Sequence, residues 1–159
     1  MSSNTLCKLV RAAAAALAVC GIVVCCWVFP SVGRSLAYRN PDYAHSYYPW
    51  LFFLWTASLP CFVVLGLVWK ASAALKHDLV FTAATARLVK YGAVLIFCAT
   101  GFFFMGNVVL LLLGMSHPGV MLVSLFADVF GISLAVLAAV LSRYVAKAAA
   151  LQEEADGTI

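Results

Sequence analysis

The chain has 159 residues, 65% of them hydrophobic and only 10% charged, with a formal net charge of +4. A soluble domain carries about 25% charged residues, so this composition cannot coat a soluble surface and points to an integral membrane protein. Direct nucleic-acid binding is excluded too: it needs a soluble basic patch, whereas the basic residues here flank apolar runs.

Four apolar runs follow one another at 12–29, 50–69, 91–114 and 120–142. Each approaches the about 20 residues that a helix needs to cross a ~30 Å hydrocarbon core. Lipid offers backbone groups no partner, so spans are helices or closed barrels. Barrel strands alternate apolar and polar residues, and these runs do not. The predicted fold is all-α: one membrane domain over 1–159, an antiparallel bundle of four transmembrane helices. An outer loop (30–49), an inner connection (70–90) and a tail (143–159) complete it.

Basic residues set the orientation. Lys8 and Arg11 precede the first span, Lys70, Lys76, Arg87 and Lys90 lie between the second and third, and Arg143 and Lys147 follow the fourth. Only Arg34 and Arg39 fall in the outer segments. The positive-inside rule then predicts cytoplasmic N- and C-termini, with contact to anionic lipid at that face.

The first span opens on a helix-favouring run of alanines at 12–16. "LAVC" (17–20) resembles a lipoprotein signal, but Val19 is large for such a cleavage site and the apolar run continues to Phe29. The reading is a retained span. Of the six cysteines all but Cys7 lie in spans, so a disulfide framework is not expected and they serve as small packing residues.

The outer loop holds Tyr38, Tyr43, Tyr47, Tyr48 and Trp50 beside Pro41 and Pro49. Aromatic rings favour the headgroup layer, so the loop is expected to lie on the membrane as a partly ordered lid. Pro60 removes a hydrogen bond from the second span, and Thr56 and Ser58 stand near enough to satisfy the freed carbonyl. In the inner connection "KHD" (76–78) reads as a turn and Thr82 as the N-cap of a third helix that starts below the membrane. The fourth helix is expected to overshoot to about Gln152, ahead of an acidic tail.

Asp128 is the one acid inside a span. It costs about 2.5–3.5 kcal/mol at a helix centre, while each Leu, Ile, Phe or Val returns roughly 0.3–0.6. Thirteen such residues between Val120 and Leu141 outweigh it. Ala127, Gly131, Ala135 and Ala139 recur every four residues, a small-residue stripe of the kind that lets helices approach closely in lipid. Asp128 borders that stripe and Ser124 stands one turn before it. Measured from the loop at 117–118, Asn107 lies at the depth of Asp128. Thr56 and Ser58 of the second span lie about as deep, as do Cys20 and Gly21 of the first. An intramembrane polar cluster of Asp128, Asn107, Ser124, Thr56 and Ser58 is therefore predicted. It either locks helix register or, as ionisable groups in a membrane commonly do, binds a small ligand or relays a proton.

Enzyme signals are sparse. There is no phosphate-cradling glycine loop and no zinc-protease His pair, and no metal or other cofactor is predicted. Asp42, His45 and Ser46 make the one acid–His–hydroxyl grouping, on the tyrosine-rich loop.

"FTAATARLVKYG" (81–92) and "FADVFGISLAVLAAVLSRYVAKAAALQEEADGTI" (126–159) carry a family resemblance. The first is similar to the Phe-Thr-x-Glu-Asn start of the third helix in the bacterial domain of unknown function 2975 family. The second resembles that family's ending: an Asp, an apolar helix, a basic turn, then L-x-E-E-x-D-L-T-I. Phe81, Thr82, Leu88, Asp128, Leu151, Glu154, Asp156, Thr158 and Ile159 fall on the pattern, while Ala84, Thr85 and Gly157 depart from it.

The resemblance implies a small multi-pass protein of the cell inner membrane, with no catalytic residues to carry over. It also implies a helix-turn-helix regulator as partner. The expected function is a non-enzymatic tether or sensor for such a cytoplasmic partner, with Glu153, Glu154 and Asp156 as contact candidates. The alternative is a small transporter, immunity or ligand-binding bundle that uses Asp128. Small-residue faces also allow a homodimer.

Overall fold

The computed structural model describes the backbone of residues 3–76 and 82–156, and the side chains of residues 4–74 and 82–154. Residues 77–78 of the predicted turn at 76–78 and the matches at Phe81, Thr158 and Ile159 lie outside the described backbone, as the Lys76 and Asp156 side chains lie outside the described side chains; the Lys76 backbone is helical. No strand occurs among the described residues. Helix α1 (Ser3–Val23) passes through a π turn (Val24–Val28) into α2 (Phe29–Arg39). A 3-10 turn (Pro41–Ser46) leads to α3 (Tyr47–Lys76), followed by α4 (Ala83–Leu112) and α5 (Pro118–Asp156). Four helical stretches are long and apolar enough to cross a membrane: Asn4–Arg39, Pro41–Ala74, Ala83–Leu112 and Pro118–Glu154.

The segment expected to be a partly ordered outer lid is helical instead. Pro30 offers no N–H to the helical ladder. The turn before it is wound as π, the Phe29 N–H reaching back five residues to the Val24 carbonyl, and the helix runs on to Arg39. The reversal is confined to Asn40, whose Nδ2 and backbone N–H both donate to the Leu36 carbonyl.

Inside α3, the hydroxyls near Pro60 take other carbonyls than the one proline frees. Thr56 Oγ1 donates to Phe52 O and Ser58 Oγ to Trp55 O. Thr82 caps α4, its hydroxyl accepting from the Thr85 N–H at 3.2 Å. At the far end of α4, Gly114 adopts φ 69°. Gly114 N donates to Leu111 O and Met115 N to Leu110 O. That is the Schellman ending, which uses glycine because a Cβ is strained at positive φ. Helix α4 thus stops at Leu112, two residues short of the apolar run. Helix α5 runs past the expected end at Gln152 to Asp156.

Each helix packs on its neighbours in the chain. Backbones approach between α1 and α3, α3 and α4, and α4 and α5, and among the described residues no other pair of these helices comes together. In the α1–α3 pair, Arg11 Nε donates to Ser72 Oγ at 3.0 Å, and Cys25 Sγ of the π turn donates to Ser58 Oγ at 3.3 Å. Gly21 lies opposite Phe62. The N-terminal end of α1 therefore lies beside the C-terminal end of α3, an antiparallel pairing. The α3–α4 contact is aromatic: Phe53 stacks on Phe103 with ring centroids 5.6 Å apart and sits 5.8 Å from Phe102.

Among the described residues the backbone of α5 approaches that of no other helix but α4, so its buried stripe is the face toward α4. That stripe is Ser124, Asp128, Gly131, Ala135, Ala138, Ser142, Val145 and Ala149. The spacing alternates four and three residues, the heptad seam of a left-handed coiled coil. Helix α4 answers with Ala86, Val89, Ala93, Ile96, Thr100, Phe103, Asn107 and Leu110. This corrects the expected every-fourth-residue stripe: Gly131 and Ala135 are in the seam, but Ala127 and Ala139 are exposed. A strict four-residue repeat drifts off one helix face, whereas a 3.5-residue average stays on it.

Candidate functional site in the α4–α5 seam

The seam holds its polar groups in consecutive layers. Asn107, 1% exposed, and Ser124 meet across the helices, with Ser124 Oγ 3.1 Å from Asn107 Oδ1. The Asn107 amide donates from Nδ2 to the Phe103 carbonyl at 2.8 Å. Ser124 has one proton, and the Val120 carbonyl, 2.7 Å from its Oγ, competes for it. Two layers further along α5, Gly131 faces Thr100 so closely that a Cβ on Gly131 would collide with the threonine hydroxyl. Thr100 Oγ1 itself donates to Ile96 O at 2.9 Å.

Asp128 lies between these layers. It is 4% exposed, and neither carboxylate oxygen has a hydrogen-bond partner among the described residues. A buried carboxyl without donors is costly, so its neighbours leave this group unsatisfied. Asn107 and Ser124 come together as the sequence places them.

Thr56 and Ser58 do not join the cluster. Their hydroxyls bond to their own helix, and Ser58 also accepts from Cys25 of the π turn. Which helix these two residues face was not legible in the sequence.

Two concave surfaces lie elsewhere. A cavity of about 420 Å³ forms against α2, bounded by Gly33, Tyr47, Trp50 and His117. The buried Ser46 Oγ on its wall has no hydrogen-bond partner among the described residues, and Asp42 and His45 beside it are exposed. Trp50 Nε1 donates to the Met115 carbonyl at 2.9 Å, which ties α3 to the α4–α5 loop. The second surface, a groove of about 730 Å³, follows the flank of α4 and α5 past Arg87, Lys90 and Arg143. Asp128 lines neither. Among the described residues no group of three His, Cys, Asp or Glu side chains is placed to hold a metal ion.

The partner-contact candidates Glu153 and Glu154 lie in the last turns of α5, and both are exposed. A heptad count along 124–149, applied in place of a four-residue one, would have found the seam from the sequence. No sequence signal marked the missing donors around Asp128.

No curated protein and no solved structure matches the chain. A family model does, over residues 31–159, which take in α3, both helices of the seam and the Asp128 layer. Its description is a protein of unknown function, DUF2975, and with this match over most of its length the chain belongs to the DUF2975 family.

Proposed function

We propose that this chain is a non-enzymatic inner-membrane protein that tethers a cytoplasmic partner, such as a helix-turn-helix regulator, and signals to it through Asp128. One observation carries the reading: α5 is a single unbroken helix of 39 residues, with Asp128 near one end and Glu153 and Glu154 near the other. At 1.5 Å per residue it is about 58 Å long, against a hydrocarbon core of ~30 Å. Its acidic end therefore stands clear of the membrane while Asp128 stays inside. Positive-inside bias supports placing that end in the cytoplasm.

The test is affinity co-purification from the native host with wild type, Asp128→Asn and a 152–159 deletion, read by mass spectrometry. The tether requires a soluble partner recovered with wild type and lost with the deletion. Loss with Asp128→Asn at unchanged expression supports the signalling role. No recovered partner in any sample overturns the proposal.

The orphaned carboxylate favours a second reading, a proton or small-cation site within the membrane. That reading predicts a phenotype for Asp128→Asn with none for the deletion.

A further inference from the structure

The groove on the α4–α5 flank is amphipathic along its length. Arg87 and Lys90 stand one turn apart on α4, and the antiparallel register places Arg143 of α5 at their level. None of the three forms an ion pair among the described residues. The first turn of α4, at Ala83, opens into the same groove, and its free amides add to the positive potential. Glu153 also lines the groove, but it is ten residues beyond Arg143, about 15 Å along the axis, so it does not neutralise the cluster.

In the other direction the groove turns apolar at Val94, Phe97, Val136 and Ala139. Counting about 20 residues of hydrocarbon back from the α4 C-terminus puts those side chains in the membrane. The cations then sit at headgroup depth. Alanines on both helices leave the trough open, for example Ala93, Ala135 and Ala139.

The geometry points to a binding site for one anionic phospholipid, with its phosphate among Arg87, Lys90 and Arg143 and an acyl chain in the trough toward Phe97. Basic pockets between transmembrane helices are suited to such headgroups. A second copy of this chain fits less well. An isologous contact through this face sets the three cations against their own equivalents. The site is independent of Asp128 and of the proposed tether.

The test is native mass spectrometry of the full-length detergent-solubilised protein, supplied with phosphatidylglycerol or phosphatidylcholine. The site predicts that wild type retains phosphatidylglycerol in preference, by roughly tenfold or more. Arg87→Gln with Arg143→Gln abolishes the preference. Ala139→Phe, which fills the trough and leaves every cation in place, abolishes retention.

Circular dichroism and the melting temperature in a zwitterionic detergent verify that each variant folds. If the double variant does not fold, Lys90→Gln and Ala139→Phe carry the test. Equal retention of both lipids by wild type overturns the site. So does undiminished phosphatidylglycerol binding by folded Ala139→Phe, which means surface adsorption. Displacement by millimolar glycerol phosphate alone overturns the lipid assignment in favour of a free anion. A lipid-free dimer broken by Ala139→Phe overturns it in favour of a second copy.

Discussion

Replacing helical glycines by alanine separates backbone propensity from helix packing in this protein. The exchange stabilises a helix interior by about 0.8–1 kcal/mol wherever the added methyl has room. Gly92 is buried in α4, yet a Cβ there would meet nothing within 4 Å. Gly106, fourteen residues along the same helix, is a notch filled by the ring of Phe53. That ring is itself buried, stacked on Phe103, and 5.7 Å from Trp50. It has little freedom to retreat, so Gly106→Ala should carry the upper part of the about 1–3 kcal/mol cost of overpacking.

The propensity gain is common to both variants, and the difference in their stabilities isolates the packing. Gly106→Ala should therefore be less stable than Gly92→Ala by about 2–3 kcal/mol. Gly131→Ala against the Thr100 hydroxyl should fall between them. Gly21→Ala should sit close to wild type, since it meets only the far edge of the Phe62 ring at 3.0 Å. Unfolding of the purified protein in mixed micelles, followed by far-UV circular dichroism, gives the ranking. A Gly106→Ala protein as stable as Gly92→Ala would refute the packing of α3 against α4 described above.

Asn107→Ala should destabilise by about 1–3 kcal/mol, combining a cavity with the loss of an interhelical hydrogen bond worth roughly 0.6; the same micellar unfolding measures it. Ser124→Ala should cost less than about 1 kcal/mol, since the Asn107 amide keeps its bond to Phe103. Thr82→Ala removes the α4 cap and should cost about 1 kcal/mol, with faster amide hydrogen exchange confined to the first turn of α4. Trp50→Phe keeps the ring stacking but loses the indole donor to Met115, so exchange at Met115 and Ser116 should rise while the helices stay protected.

Much of the fold was legible because of what the sequence lacks. With every charge but Asp128 outside the four apolar runs, little but a transmembrane helical bundle satisfies the backbone. Thr82 was legible as a cap because a short hydroxyl residue before a run of helix formers has a local role. Residues 30–39 were not legible as helix. The segment reads as a loop from its tyrosines beside Pro41 and Pro49, whereas the structure winds a π turn before Pro30 and continues the helix to Arg39. The level of Asn107 followed from counting back from the loop only to within one layer: the count set it against Asp128, and in the structure it meets Ser124, one layer nearer the loop. The facing of Thr56 and Ser58 did not, because it depends on which helices are neighbours, and here only helices next to one another in the chain touch.

The layer that holds Asp128 explains why this acid stands apart from the other polar residues of the seam. The layer on one side pairs Ser124 with Asn107, and the one on the other pairs Gly131 with Thr100. In both, every hydroxyl or amide reaches an acceptor in its own helix or across the seam. Between them the register sets Asp128 level with Phe103, whose ring is occupied with Phe53 of α3. An apolar residue in place of Asp128 would insert more readily by roughly 3 kcal/mol, and packing gains nothing from the acid. Asn107 is bonded within the fold, whereas Asp128 has no partner among the described residues, and the proposed function is what gives this acid a role. Among the described residues the α5 backbone approaches α4 alone, so Asp128 belongs to one seam. In the proposed function the unbroken α5 helix is the element that links Asp128 to Glu153 and Glu154.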